Sequence, residues 1–411
     1  MAVKQEYIDL MVNIPGFSVG LAGTCDEWDG EKGLMIELIR KERRYFCRCG
    51  REFETCYDGR ERSVRDLSFG IWKRSYLVFW QVRVNCSDCG IVTESLEWVA
   101  PRVGYTKRLA AAVAFSCREI RSLTSVAKQY DLHRHTVKAM DKAALEDELP
   151  QVGECSPKHI GVDEFSIRRH HSYATVVADL KDRSVLYVGV DRTKESLSFF
   201  YQTLGHEKCE RIEAVATDMW PAYREATREH CPNAVIVYDP FHIIASYGRE
   251  VVDKVRAQER KRATGLELEY IKGSRYLLLK NRNNLSPSRD EPARLSELLR
   301  LNRHLNTVYT LKDDLKQFWR YRSEAWARKW FDAWYGRAIR SRIEPLKRFA
   351  KKLKKHLDGI LAYCRHPIHT GFIEGINNKI KVIKRVAFGF GDLDYFFLKI
   401  RGAFRRAEIH T

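Results

Sequence analysis

The sequence predicts an α/β domain with a helical insertion, preceded by a cysteine-knuckle module and a helix-turn-helix. Three observations lead there. Five cysteines cluster in the first hundred residues, a helix pair with a polar turn lies between about 105 and 148, and strand-like runs alternate with helix-like ones from about 157 to 245. The expected division is 1–100, 101–150 and 151–411, with the insertion at about 246–365. No fixed-period repeat or low-complexity tract separates these parts.

At 411 residues the chain is long enough for two or three modules, at least one with a sizeable core. Lys and Arg outnumber Asp and Glu by 72 to 54, for a net charge of +18. Such an excess favours a polyanionic partner, nucleic acid before an anionic membrane. No apolar run approaches the roughly eighteen residues a spanning helix needs. The start, MAVKQEYIDLMVNIPGF, lacks the order of a signal peptide. A soluble cytoplasmic protein, associated with the nucleoid, is the expectation.

Eleven cysteines in an intracellular chain argue against a disulfide framework. Cys86-Ser-Asp-Cys89-Gly reads as a knuckle, two thiolates on a tight turn, and Cys47-Arg-Cys49-Gly repeats it upstream. Four thiolates close a tetrahedral zinc site that stabilises a small fold. The upstream pair is one residue short, which leaves open a distorted knuckle, Cys56 as a substitute ligand, or unmetallated thiols. No His or carboxylate joins the set, so a structural ion is expected rather than a catalytic one.

In LTSVAKQYDLHRHTVKAMDKAAL, Val126 and Ala127 face inward and Tyr130-Asp131 opens a turn. Leu132, Val137 and Met140 are spaced to close a second helix on the first. That is the pattern of a helix-turn-helix, whose second helix enters the major groove. It would display His133, Arg134, His135, Thr136 and Lys138 to phosphates and base edges. The alternative is a plain helical hairpin with a solvated polar face.

KHIGVDEFSIRR places Asp163 in an apolar strand, and strand alternation sends Asp163 and Glu164 to opposite faces, so one of them joins a given site. SYATVVADL and SVLYVGVD follow at hairpin intervals and should pair antiparallel with it. RIEAVATDMWPAY is a strand ending at Asp218, with Pro221 placed for the first turn of a helix. AVIVYDPFH ends at Asp239, with His242 beyond it as a supporting group. Acids at strand ends of one sheet can build a pocket for a hard cation, though such residues also cap helices. GFIEGINNKIKVIKRVAFGFG supplies a third acid. Ile373, Ile376, Ile380 and Ile383 form a buried helical stripe, and Glu374, Asn377, Asn378, Lys381 and Arg385 lie on another face.

The order of these motifs resembles the ISL3 family of bacterial insertion-sequence transposases. The resemblance rests on the knuckles, the helix pair, GVDEFS, TDMWPAY, DPFH and, most specifically, EGINNKIKVIKRVAFGF. It implies an RNase H-like catalytic domain of the DDE type, with Asp163, Asp218 and Glu374 as catalytic acids that hold two Mg2+ or Mn2+ ions. A basic helix after Glu374 carries Lys379, Lys381, Lys384 and Arg385, which together with Asn378 would meet the DNA backbone. The implied partner is double-stranded DNA, the element's terminal inverted repeats and a target. The implied reaction cuts and joins strands, with a dimer or larger assembly to bring two ends together.

The separation of 156 positions between Asp218 and Glu374 would then hold the insertion. Trp319, Trp326, Trp330 and Trp334 read as one buried helical face. Ile343, Leu346, Ala350, Leu353, Leu357 and Ile360 form a stripe among Lys347, Lys351, Lys352, Lys354 and Lys355, read as phosphate contacts with a solvated charged face as the alternative. No Gly-Lys-Ser/Thr loop is present, so no nucleotide cofactor is expected. The rival readings are a non-catalytic zinc and helix-turn-helix regulator, an inactive copy, or a nuclease that cuts without joining.

Overall fold

A computed structural model describes residues 5–26, 30–99, 103–119, 121–168, 172–368, 371–387 and 389–405. The chain divides into two compact units, Met1–Leu149 with Val382–Ala403, and Pro150–Lys381 with Phe404–Thr411.

The first unit opens with strands β1 (Phe17–Asp26), β2 (Lys32–Arg40), β3 (Tyr45–Phe46), β4 (Glu52–Phe53), β5 (Asp58–Asp66), β6 (Ser75–Cys86) and β7 (Gly90–Thr93). β3 and β4 form their own small ribbon, and the others make one sheet in the order β1-β2-β6-β5, with β7 on β6. The alternation in YLVFWQVRV places Leu77 and Phe79 in the core and leaves Trp80 exposed, as a half-buried strand should.

Three helices follow, Lys107–Arg118, Leu123–Tyr130 and Arg134–Glu148. Ser122 caps the second, its hydroxyl accepting from Ser125 N at 3.1 Å. Asp131 ends it in the left-handed region, φ 51°, with its N–H returned to Ala127 O. His133 caps the third helix. Val126, Val137 and Met140 are buried between them, as the apolar spacing requires. The unit also contains the Leu393–Ala403 helix, which packs on Arg134–Glu148 through Tyr395, Leu145 and Leu149. Beneath that contact the buried Asp141 carboxylate accepts from the Tyr395 hydroxyl and from Lys399 Nζ at 2.9 Å.

The second unit holds β8 (His159–Arg168), β9 (Ser172–Asp179), β10 (Ser184–Val190), β11 (Ala214–Thr217) and β12 (Val235–Tyr238) in the order β10-β9-β8-β11-β12. The first three are antiparallel neighbours. β11 runs parallel to both β8 and β12. Helices Lys194–Leu204 and Pro221–His230 bury Leu197, Phe200, Tyr201 and Tyr223 against this sheet with Ile160, Val162 and Val215. The result is the mixed α/β arrangement expected from the alternating runs.

After β12 the chain is helical from Pro240 to Leu361, and these helices enclose their own core around Tyr247, Leu298, Leu305, Phe331, Trp334 and Phe349. Leu346, Ala350, Leu353, Leu357 and Ile360 are buried as their spacing indicates. The tryptophans depart from expectation. Trp334 is fully buried, Trp326 is exposed, and Trp319 belongs to a separate short turn, Phe318–Arg320, before the Glu324–Arg340 helix begins. A break at Tyr321–Ser323 resets the helical phase, so the four do not share one face. Lys352 is tied to Glu250 at 2.7 Å and Lys354 stacks over Tyr335, which leaves the lysine run partly engaged within the protein.

Candidate active site

The register of the parallel strands sets three acids side by side. β11 pairs Ala214, Val215 and Ala216 with His159, Ile160 and Gly161, so continuing it two residues brings Asp218 opposite Asp163. β12 pairs Tyr238 with Thr217, which brings Asp239 opposite Asp218. The carboxyl ends of parallel strands are where open α/β sheets gather ligand-binding groups.

Asp163 is buried, at 5% exposure. Its Oδ1 accepts from Glu164 N at 2.9 Å, and its Oδ2 accepts from Asn377 Nδ2 at 2.7 Å. His242 Nε2 stands 3.8 Å from Asp163 Oδ2 and 3.6 Å from Asp239 Oδ2. Asp239 also caps the Pro240–Tyr247 helix, its Oδ1 accepting from Phe241 N at 2.8 Å. Asp218, half-buried, accepts from Trp220 N at 2.9 Å.

Burial raises the pKa of Asp163, with the Asp218 charge adding to it and His242 opposing. Burial likewise raises Asp218. Glu164 goes up to about 7, driven by burial and then by the charges of Asp218 and Asp163. The register of β8 runs without a break through Asp163 and Glu164, so they alternate along the strand. Asp218 lies beyond the end of β11, where its charge is nevertheless felt by both carboxylates of the Asp-Glu pair.

Glu374 stands on the Gly371–Val386 helix, exposed, one turn before Asn377. Residues three apart on a helix are neighbours, so the Asp163–Asn377 bond holds Glu374's turn close to β8. Gly161 permits this approach, because a Cβ there would lie 2.2 Å from Ile373 Cδ1. Ile373, Ile376 and Ile380 are buried and Ile383 half-buried, matching the apolar stripe. Among the described residues, Asp163, Asp218 and Glu374 do not bring their ligand atoms within the 4.8 Å span reached by the four thiolates below.

The chemistry of the site suits a hard divalent cation. Glu164 Oε2 and Asn377 Oδ1 are buried oxygen acceptors with no hydrogen-bond partner, beside carboxylates whose charges oppose one another. Unpaired oxygens and concentrated negative charge are what such an ion compensates.

Cys47, Cys49, Cys86 and Cys89 place their Sγ atoms within 4.8 Å of one another, so the short Cys-x-Cys does reach the cluster. Gly50 and Gly90, at φ 86° and 72°, provide the two left-handed turns. Backbone N–H groups of Asp88 and Cys89 lower the Cys86 thiol to about 7. Cys56 is exposed and outside the cluster.

On the second helix of the pair, Arg134 and His135 are exposed and Thr136 half-buried. Lys138 is already engaged, 2.7 Å from Asp392 and over the Tyr395 ring. Asn378, Lys381 and Arg385 are exposed along the Gly371–Val386 helix, and Lys384 is half-buried. Lys381 donates to Asn378 Oδ1 at 3.2 Å.

Comparison with known proteins converges on one family. A family model described as a transposase, of the DDE type and ISL3 group, matches residues 160–400, and the model of the helix-turn-helix domain of transposase family ISL3 matches residues 94–145. The chain belongs to the ISL3 transposase family. It is 41% identical over 384 residues to the transposase for insertion sequence element IS1001 of Bordetella parapertussis, covering 92% of this chain and 94% of that one. It is 27% identical over 394 residues to the transposase for insertion sequence element IS1557 of Mycobacterium tuberculosis, covering 88% and 86%. A transposase acts in DNA transposition as a DNA-cutting and strand-joining enzyme, and its helix-turn-helix is a DNA-binding domain. Among the described residues no helix is long and apolar enough to cross a membrane.

Proposed function

We propose that this transposase has an RNase H-like catalytic domain in which Asp163, Asp218 and Glu374 hold two Mg2+ or Mn2+ ions and direct the cutting and joining of insertion-sequence ends. The observation that carries the reading is the bond from Asn377 to Asp163, which ties the Glu374 helix to the strand bearing the first acid. The unpartnered Asn377 Oδ1, on the residue bonded to Asp163, supports a cation there, and His242 Nε2 stands 3.8 Å from Asp163 and 3.6 Å from Asp239. When bound, the ions lower the pKa of an attacking water or 3′ hydroxyl and stabilise the departing oxygen. The protein's own groups fix the carboxylates, and no covalent enzyme intermediate is required.

The helix-turn-helix, within about 101–150, would present Arg134, His135, Thr136 and Lys138 to the terminal repeats. Asn378, Lys381, Lys384 and Arg385 would follow the DNA backbone. The cysteine cluster would hold one structural zinc in the module of residues 1–100. Two ends must be joined in one event, so the working form is a homodimer or larger, in the cytoplasm on the nucleoid.

The test is metal-dependent cleavage of labelled DNA carrying the element's ends, with Asp163→Ala, Asp218→Ala and Glu374→Ala beside the native chain. Loss of cutting in all three with DNA binding retained supports the reading. Cutting that survives any one of them, or binding without cutting by the native chain in either metal, would overturn it.

A further inference from the structure

Beyond the carboxylates lies a cation that their assignment does not use. Arg192 follows β10, just after Asp191, whose φ of 66° turns the chain sharply. A left-handed Asp persists only where its surroundings hold it. Here Asp191 N donates to Tyr173 O at 2.8 Å, Thr175 Oγ1 donates to Asp191 O at 2.7 Å, and Trp220 Nε1 donates to Arg192 O at 3.0 Å. The backbone of Arg192 is thus pinned from both sides.

Its side chain is equally constrained. The guanidinium carbon lies 4.2 Å from the Tyr173 ring centroid and 4.8 Å from that of Trp220. Nη1 is 3.6 Å from Glu164 Oε1, longer than a hydrogen bond, and 35% of the side chain is exposed. Trp220 also donates its own N–H to Asp218, so one residue adjoins both the second acid and the arginine. A cation serving only to neutralise Glu164 would need neither aromatic wall. Two rings packed against a guanidinium leave N–H groups free for an anion and remove rotamer freedom before that anion arrives.

We propose that Arg192, held against the Tyr173 and Trp220 rings, grips a phosphate of the DNA strand beside the bond that is cut. Phosphate is the anion a DNA-cutting enzyme brings to its carboxylates, and the planar fork of arginine matches its oxygens. The proposal rests on the assignment of Asp163 and Asp218 as the catalytic acids. It makes Arg192 a contact that positions the strand by its backbone, independent of sequence.

The experiment measures binding of the full-length chain, with no Mg2+ or Mn2+ added, to end-bearing DNA with a single neutral methylphosphonate placed in turn at each phosphate around the cleavage point. The native chain should lose about tenfold in affinity at one position, the size of one charge-assisted contact. Arg192→Gln should show that loss on ordinary DNA and be indifferent to the methylphosphonate at that position, with Arg192→Lys between. An unchanged pattern of sensitivity in Arg192→Gln overturns the proposal, as does a uniform loss accompanied by a lower melting temperature. Asp163→Ala should retain the native pattern. Because binding alone is read, cleavage that survives Asp163→Ala would sink the catalytic assignment without deciding the Arg192 result.

Discussion

Asn377 reaches across 214 residues of sequence to donate its amide to Asp163 Oδ2 at 2.7 Å. Deleting that amide with Asn377→Ala should weaken the hold on divalent ions by about 10- to 100-fold, the usual effect of removing a group that orients a ligand. Asn377→Leu, which keeps the size and removes both amide atoms, should lose as much. Titration of Mn2+ binding by calorimetry, with circular dichroism to confirm folding, checks both. Native-like affinity in Asn377→Leu would dismiss the amide's role.

The pH dependence of stability follows from Glu164, shifted from 4.5 up to about 7. Between those values the folded chain binds more protons than the unfolded one, so this group's contribution falls as pH rises from about 4.5 to about 7 and the full penalty remains above that. With the side chain 24% exposed, the effect is on the order of 2 kcal/mol. With no Mg2+ or Mn2+ added, Glu164→Gln should therefore be more stable than the native chain at pH 8 and converge with it near pH 4.5. Denaturant melts at the two pH values read the difference, and a constant gap would contradict it.

Zinc should bind at one equivalent per chain. Cys49→Ser should abolish it, whereas Cys56→Ser should leave it intact, because Cys56 lies outside the thiolate cluster. Metal analysis of the purified variants decides. Removing the ion should also lower the melting temperature of the first unit, since a structural zinc contributes directly to folding.

Lys399→Met should destabilise the first unit by about 3 kcal/mol, because it leaves the Asp141 carboxylate buried without its cation. Asp141→Asn with Lys399→Met should recover part of that loss. Thermal melts of the single and double variants give the coupling, and additive losses would mean that the pair does not interact.

Much of this was legible because it is local. Strand alternation in GVDEFS, the apolar spacing in LTSVAKQYDLHRHTVKAM and the isoleucine stripe after Glu374 each depend on neighbours within a turn or two. The cysteine cluster was legible too, since two Cys-Gly knuckles need only one sheet to bring them together. The raised pKa of Glu164 was not legible, because alternation assigns faces along a strand and says nothing of an acid just beyond the end of the next strand. Arg192 gave no signal, for its meaning comes from Tyr173 and Trp220, each on a different element. The tryptophan face failed at Tyr321–Ser323, where a short break, invisible to periodicity, resets the helix.

The pairing of Leu393–Ala403 with Arg134–Glu148 carries a consequence for synthesis. Lys399 is made 258 residues after Asp141. At ordinary translation speeds of about 5–20 residues per second, that is roughly 13 to 50 seconds during which the nascent helix carries an uncovered carboxylate and bare Leu145 and Leu149. The helix-turn-helix is therefore completed only once Lys399 has been made, after Asp163, Asp218 and Glu374.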